Sequence, residues 1–541
     1  MKTLITTLNS KYIHTSLSLR LLYVSCYKMH DIDFKEYTIK DSIEHIVDDL
    51  LSMELNIIAF SSYIWNIEMI KDICELLKKQ NPKLIIVLGG PEVTYEPEYF
   101  LNHYCIDYVI SGEGEMVLHQ LIECLEKQQS VDIAGVSYID HISNEIATVD
   151  LTYVESLDSP YCLPRDIQDM SKRLLYFESS RGCPFLCQYC LSSLEKGLRF
   201  FSQEYLQKQL EAITQNGVKT VKFLDRSFNA STEHAIMILD YIFKNHKPHQ
   251  QYQFEINADV FQQKIIDFIS DNAPRGLLRF EIGIQSTYEP TNKAVKRNQN
   301  FQRLSEVIQQ LMQNGKCDLH LDLIAGLPYE TYDRFAQSFD DVFAFRAKEL
   351  QLGFLKMLRG TSLRNDADNY GYVYQERAPY EMIENKWLSI QDVENIHIAE
   401  DMLEKYWNSG RFPLTLHKIM DNQKSPFQFF YQLGLFYQQQ NYKKMGYQLD
   451  ELFIYLDTYL NDPIYHDYLI QDYLSLFKVK PKRWYQPTLA PEQRKEVIRE
   501  ISLKYKLNQE ELFRYALIEK LHYGYLVCIY KGYECQIEVY K

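Results

Sequence analysis

Along the first 365 residues, short apolar runs alternate with longer stretches whose apolar positions recur three and four residues apart. In residues 1–150 the runs are Thr3–Leu8, Phe34–Ile39, Ile57–Ser61, Leu84–Leu88 and Tyr108–Ser111. Helical patterns lie between them, clearest at Ile67–Lys79 and Met116–Lys127. Strands alternating with helices predict an α/β domain with a doubly wound parallel sheet. Ligands of such sheets sit beyond the carboxyl ends of the strands. Those ends carry Asn9-Ser10-Lys11-Tyr12, Ser61-Ser62-Tyr63-Ile64-Trp65-Asn66, Gly89-Gly90-Pro91-Glu92 and Ser111-Gly112-Glu113-Gly114-Glu115. Gly89 and Gly90 would let a bulky ligand approach the backbone. No G-x-G-x-x-G follows the first strand and no G-x-x-x-x-G-K-[ST] occurs, which disfavours a dinucleotide and a nucleoside triphosphate.

Val136–Asp140 and Glu145–Asp150 read as a hairpin, and residues 151–172, with Pro160 and Pro164, as a linker. Six further strand patterns follow in residues 173–365: Leu174–Ser179, Thr220–Leu224, Tyr252–Ile256, Leu278–Ile284, Asp318–Ile324 and Leu350–Phe354. With helical patterns between them they predict a partial barrel of six β/α units. Its working residues belong at the carboxyl ends of its strands. The two-residue period of a strand puts Glu255 with Asn257, Glu281 with Gly283 and Gln285, and Asp318 with His320 and Asp322, each set on one face. The second strand ends in Asp225-Arg226-Ser227-Phe228-Asn229, and the sixth brings Lys356 and Arg359 to the rim. Residues 366–541 form a mostly helical tail. Its patterns are Ser389–Trp407, Pro426–Gln438, Met445–Leu460, Tyr465–Leu476, Pro491–Lys504 and Gln509–Leu521, before a terminal hairpin over Gly524–Tyr540 turning at Lys531-Gly532.

Composition narrows the class. The 541 residues are 46% hydrophobic and 24% charged, an ordinary globular balance for about three domains. The net charge of −15 argues against a nucleic-acid partner. No run of about 18 apolar residues occurs, so no membrane partner is expected, and the opening residues do not read as a secretory signal. Eleven cysteines, most of them scattered singly, fit a reducing cytoplasm better than a disulfide framework.

The densest chemistry is RGCPFLCQYC. Cys183, Cys187 and Cys190 stand in a C-x3-C-x2-C spacing directly after the first barrel strand. Three thiolates on one short loop can hold three corners of a cubic [4Fe-4S] cluster. The fourth iron then lacks an obvious thiolate, and an open position on a metal is where a substrate binds. A structural zinc knuckle is the alternative, but it usually needs two separated ligand pairs, and no second pair lies nearby.

This spacing, with Tyr189 just before the last cysteine, resembles the signature of the radical S-adenosylmethionine (SAM) enzymes. The LDLIAGLPYET run resembles radical SAM enzymes of the oxygen-independent coproporphyrinogen oxidase and tRNA-modifying groups. The element order and the GGPE and SGEGE turns of residues 1–150 resemble the flavodoxin-like, cobalamin-binding domain fused to many radical SAM enzymes. The resemblance implies a [4Fe-4S] cluster on Cys183, Cys187 and Cys190. It implies SAM beside Tyr189, Asp225, Glu281, Gln285 and Asp322, and cobalamin beside Ser62, Trp65, Gly89, Gly90 and Glu113. The D-x-H-x-x-G motif of families that coordinate cobalt from below is absent, so no histidine is expected under the cobalt. His14 is expected to cap or face the first helix. The implied reaction is reductive cleavage of SAM to a 5′-deoxyadenosyl radical and cobalamin-dependent methyl transfer to an unactivated carbon of a small molecule. An electron donor such as flavodoxin or ferredoxin and an anaerobic setting are implied too.

Two other readings stay open. One is a radical SAM enzyme for cyclisation or rearrangement whose first domain binds no cobalamin. The other is an iron–sulfur binding or electron-carrying module without catalysis. A tRNA methylthiolating enzyme fits poorly, because Cys26, Cys74, Cys105 and Cys124 are far apart and the tail is not basic.

Overall fold

The structure is a computed structural model. It describes residues 1–540 apart from 162, 196, 478, 480, 482, 486–488, 507, 532 and 533, with side chains from 531 onward and at 505 left aside. The chain forms two compact units, residues 1–335 with 352–390 and residues 336–351 with 391–541.

The first unit opens with the expected doubly wound sheet. β1 (Thr3–Asn9), β2 (Ile32–Thr38), β3 (Ile57–Ser61), β4 (Ile85–Gly89), β5 (Tyr108–Ile110) and β6 (Val136–Ser137) are ordered 2-1-3-4-5-6. The first five are parallel and β6 is antiparallel. Alternate side chains explain the two layers. Leu4, Leu8, Ile58, Phe60, Ile86 and Leu88 pack on one face with helices Ile43–Ser52 and Ile67–Gln80. Ile5, Ile57, Ala59 and Val87 pack on the other with helices Leu17–Cys26 and Glu115–Glu126. β1 is therefore buried along its whole length. The hairpin expected over 136–150 does not form. Only Tyr138 and His141 pair locally, while Ala147 bridges to Gly112, so the second arm follows β5 instead of folding on the first. Gly112 sits at φ 101°, and a Cβ there would lie 2.2 Å from the Ala147 carbonyl oxygen, so this close pairing requires glycine.

The second sheet is the expected partial barrel. β7 (Leu174–Phe177) is followed by a short antiparallel ribbon, β8 (Ser180–Arg181) with β9 (Arg199–Phe200). Then come β10 (Thr220–Phe223), β11 (Gln251–Ile256), β12 (Leu278–Gln285), β13 (Cys317–Ala325) and β14 (Glu349–Phe354). Their order, 14-13-12-11-10-7, follows the chain without a crossover inside the sheet. β11 and β12 alternate strictly between buried and half-buried positions. Phe254, Phe280 and Ile282 face the helices; Gln253, Glu255, Arg279 and Glu281 face the lumen. A small ribbon, β15 (Val373–Tyr374) with β16 (Met382–Glu384), completes this unit.

The second unit is helical around Phe339, Phe343, Trp407, Phe427 and Phe430, whose rings meet at 4.5–6.2 Å. The helix beginning at Ile390 widens into a π-helical turn at Leu403–Asn408, which buries Tyr406 and Trp407. The helix expected over Gln509–Leu521 stops at Tyr515. Ala516–Leu521 is β17, paired antiparallel with β18 (Gly524–Lys531), which pairs with β19 (Glu534–Tyr540). Ala516 and Ile518 are buried in the core shared with Val497 and Ile501, and Leu521 is buried too, so tertiary packing overrides a pattern that fits either period. The terminal pair thus gains a third strand; Gly532, where its turn was expected, lies outside the described residues. No described helix is long and apolar enough to cross a membrane.

Candidate functional site

The cysteine loop hangs from the carboxyl end of β7. The ribbon of β8 and β9 closes its base, pairing Ser180 with Phe200 and Arg181 with Arg199. Gly182, at φ 91°, passes so close that a Cβ would lie 2.0 Å from the Gly197 carbonyl oxygen. Within the loop Cys190 N–H donates to the Cys187 carbonyl (3.1 Å), and Gln188 N–H donates to Val295 (2.9 Å). Cys183, Cys187 and Cys190 are all free thiols. Arg297 backs the loop. Its guanidinium donates to Tyr189 Oη (3.3 Å), to the Gly283 carbonyl and weakly to Cys187 Sγ (3.9 Å). Tyr189 is thereby clamped against the loop, and burial pushes its phenol well up.

The lumen next to this loop is polar. Pairing aligns Lys222 with Tyr176 and Gln253, Glu255 with Glu281, Glu281 with His320, and Gly283 with Asp322. Lys222 Nζ lies 2.8 Å from Glu281 and 4.0 Å from Glu255. Burial alone would raise the Glu281 carboxyl, but Lys222, His320 and Arg279 more than offset it and hold it below the usual range. Burial raises Glu255 and Asp322. The Glu255, Glu281, Lys222 and Asp322 side chains are still 29%, 26%, 23% and 18% exposed, so they border open space and not a filled core. Glu281, His320 and Asp322 offer ligand atoms within 4.8 Å of one another. A metal there is disfavoured by the chain itself. Arg279 can only donate, so His320 Nδ1 accepts from it (3.1 Å) and the neutral ring keeps its proton on Nε2, 3.1 Å from Asp322. Gln285, at φ 68°, folds its amide back over Gly283, and its Oε1 is buried without a hydrogen-bond partner.

Asp225 is placed differently. It is 1% exposed. Its carboxylate accepts from Ser179 N–H (3.0 Å), Ser179 Oγ (2.5 Å) and Ser180 Oγ (2.5 Å), and His234 Nε2 lies 2.9 Å from Ser179 Oγ. The side chain expected beside the ammonium of SAM is enclosed and fixes the end of β10 to the cysteine loop. Arg359, expected at the rim, is also enclosed. It is 4% exposed and contacts Glu92, Glu96 and Tyr380.

At the first sheet, Ser62 is buried and donates through N–H and Oγ to the Gly89 carbonyl (2.8 and 2.6 Å). A Cβ on Gly90, at φ 106°, would lie 2.5 Å from the Ser62 carbonyl oxygen, whereas one on Gly89 meets nothing closer than 3.8 Å. Gly90 is therefore required by its close approach to Ser62, whereas a side chain at Gly89 would make only ordinary contact with Ile110. Trp65 is 48% exposed, stacks flat on Tyr63 at 4.4 Å and anchors through Nε1 to Leu8. Glu113 turns toward the cysteine loop, pairing with Arg199 and Arg181 and accepting from Val149 N–H (2.6 Å). His14 neither caps nor lines the first helix. It bridges to Leu174, and its Nδ1 meets Tyr176 Oη at 2.9 Å.

Family comparisons agree with this geometry. Residues 3–122 match the B12 binding domain, residues 177–342 the radical SAM superfamily and residues 368–528 a family described only as a protein of unknown function, DUF4080. The chain is a radical SAM protein with an amino-terminal B12-binding domain. An uncharacterized methyltransferase, PH0819, of Pyrococcus horikoshii is 34% identical over 31% of this chain and 38% of its own length. The cobalamin-dependent radical SAM methyltransferase TokK of Streptomyces tokunonensis is 26% identical over 55% of this chain and 45% of its own. The matches thus span less than half of either relative. The fold is also that of OxsB, a cobalamin-dependent SAM radical enzyme solved with aqua-cobalamin. That likeness has a TM-score of 0.62 at 15% identity, over 88% of this chain and 80% of that one.

For a radical SAM protein the present residues fit the implied groups. Three free thiols on one loop suit a cluster, the orphaned Gln285 Oε1 suits a donor brought by SAM, and the half-exposed, side-chain-free strand end at Gly89 suits a bulky cofactor. Sequence reasoning missed Arg181, Arg297 and Lys222. Arg181 joins Glu115 and Glu178 (2.6 Å each), tying the first sheet to the barrel. Burial raises the Glu178 carboxyl even against that guanidinium. Lys222 was legible in principle, as the single charge within the short TVKF strand.

Proposed function

We propose that this radical SAM protein is a cobalamin-dependent methyltransferase acting on an unactivated carbon of a small molecule. The observation that carries the reading is the trio Cys183, Cys187 and Cys190, clamped by Arg297 and Tyr189 beside a half-open polar lumen, in one compact unit with a B12-binding domain. When bound, the cluster with SAM supplies a 5′-deoxyadenosyl radical, and cobalamin supplies the methyl group.

The chain's own residues orient and shield. The three cysteines hold the cluster. Arg297 fixes Tyr189 and Gly283 around it, so the groups facing SAM keep their geometry. Gln285 and Asp322 offer acceptors toward SAM, while Lys222 and Glu281 neutralise each other and keep the lumen wall in place. Trp65 and Gly89 line the cobalamin side, and Ser62 fixes that edge from beneath by holding Gly89. Two electrons per turnover would come from a donor such as a flavodoxin or ferredoxin, one for the cleavage of SAM and one to return cobalamin to its methyl-accepting state. Strictly anoxic reconstitution with iron, sulfide, cobalamin, dithionite and SAM tests the reading. The expected products are 5′-deoxyadenosine and S-adenosylhomocysteine together. The first alone would replace methylation by another radical reaction, and neither would overturn the proposal.

A further inference from the structure

The turn after β10 is held at every residue but one. Asp225 is locked by Ser179 and Ser180. Asn229 exchanges two hydrogen bonds with the Asn257 backbone, donating through Nδ2 (2.8 Å) and accepting from its N–H (2.9 Å). Phe228 packs on Phe223 and Phe254 at 5.6 and 4.2 Å. The Ser227 carbonyl accepts from Ala230. Between these pins Arg226 is exposed, and no hydrogen bond or ion pair to it occurs among the described residues. Its neighbour Ser227 is 4% exposed, and its Oγ is buried with no partner.

These pins place that guanidinium at the carboxyl end of a barrel strand, where Asp225 ties the turn to Ser179 and Ser180 at the foot of the cysteine loop and Asn229 ties it to the end of β11. Its charge favours the ionised forms of Glu195, Glu255, Tyr63 and the Cys183 thiol. Neither carboxylate reaches ion-pair distance. A pinned turn at the end of a barrel strand thus holds one exposed guanidinium that has acids in its field but closes on neither. Its planar fork of donors matches carboxylate and phosphate oxygens in pairs.

We propose that Arg226 is a specificity-determining residue that binds an oxyanion, a carboxylate or phosphate, on the substrate. This rests on the methyltransferase reading for its substrate, but not for its test. Carboxylate and phosphate are separated by the probe, and the substrate is separated from SAM, whose own carboxylate is the other source of such an oxyanion.

The full-length reconstituted protein is titrated calorimetrically with inorganic phosphate and with succinate, at constant ionic strength. The wild type is expected to bind one of the two. Arg226→Gln should weaken that binding about tenfold or more, and Arg226→Lys should retain part of it. The SAM dissociation constant of Arg226→Gln should stay within about threefold of wild type by equilibrium dialysis. Cluster absorbance and melting temperature confirm that both variants are folded and loaded. Probe binding that survives Arg226→Gln, or a wild type that binds neither anion, overturns the proposal. A tenfold loss of SAM affinity with the probe unaffected also overturns it, by assigning Arg226 to SAM. A wild type that makes no 5′-deoxyadenosine would remove the methyltransferase reading while the anion titrations still decide the role of Arg226.

Discussion

The two sheets of the first unit use the polar residues at their carboxyl ends in different ways. At the doubly wound sheet those residues are spent internally. Ser62 holds Gly89, Glu92 meets Tyr380 and Arg359, and Glu113 and Glu115 reach Arg199 and Arg181. At the barrel the acids on β11, β12 and β13 remain partly open to the lumen. The first arrangement builds a rigid seat that shares its charges with the barrel. The second leaves charge facing space that a ligand can fill. A polar residue at a strand end is thus no evidence of a binding role until its partners are known.

The sharpest break of that contrast is on the open side. Cys187→Ala removes one of the three thiols and should abolish cluster loading, with iron content and SAM cleavage falling to background. Retained cluster and cleavage would show that another residue replaces it. Next in size is the closed side. Arg181→Met leaves Glu115 and Glu178 buried without their cation, and breaking a buried pair in this way costs about 3–5 kcal/mol. The melting temperature should drop sharply; an unchanged value would mean that the tie between the two sheets is dispensable.

Legibility followed the same division. All eleven parallel strands of the two sheets could be read: strands buried on both faces, such as β1 and β3, leave apolar runs, and the barrel strands β11 and β12 show a two-residue alternation of apolar and polar positions. The cysteine trio was legible because its three ligands lie within eight residues of sequence. What could not be read were pairings across the fold. Glu113 looked like a strand-end ligand until Arg199, 86 residues away, occupied it. Asp225 looked available until Ser179 and Ser180, 46 and 45 residues upstream, enclosed it. Arg297 carries no local signal and acquires meaning only when the fold sets it 3.3 Å from Tyr189. The β17 strand was missed because its six residues, apolar at four positions, fit both periods, and only the strand beside it decides.

The closed cluster at the barrel end makes a smaller, pH-dependent prediction. Burial lowers His234 from 6.5 to about 4. Between those values the unfolded chain takes up a proton that the folded imidazole refuses, so stability falls as pH drops from about 6.5 toward 4. The full effect is about 3 kcal/mol at most, from a shift of about 2.5 units. Urea denaturation of wild type and His234→Gln at pH 7 and pH 4.5 isolates it. The variant should lose less stability on acidification, and parallel losses would show that His234 is not the group refusing the proton.

The smallest effect sharpens the comparison most, because it separates seat from ligand in two adjacent residues. Gly90→Ala would push a methyl group to 2.5 Å from the Ser62 carbonyl and hold a left-handed φ of 106°. Strain of this kind costs about 1–3 kcal/mol and should lower the melting temperature with or without cobalamin. Gly89→Ala meets nothing closer than 3.8 Å and has an ordinary strand conformation. In a strand, alanine is the better residue by about 0.5–1 kcal/mol, so apoprotein stability should hold or rise slightly. If the cofactor lies against this backbone, the same methyl group intrudes on it, and hydroxocobalamin loading of Gly89→Ala should fall although the fold is intact. Normal loading of Gly89→Ala would move the cofactor away from β4 and leave both glycines explained by the sheet alone.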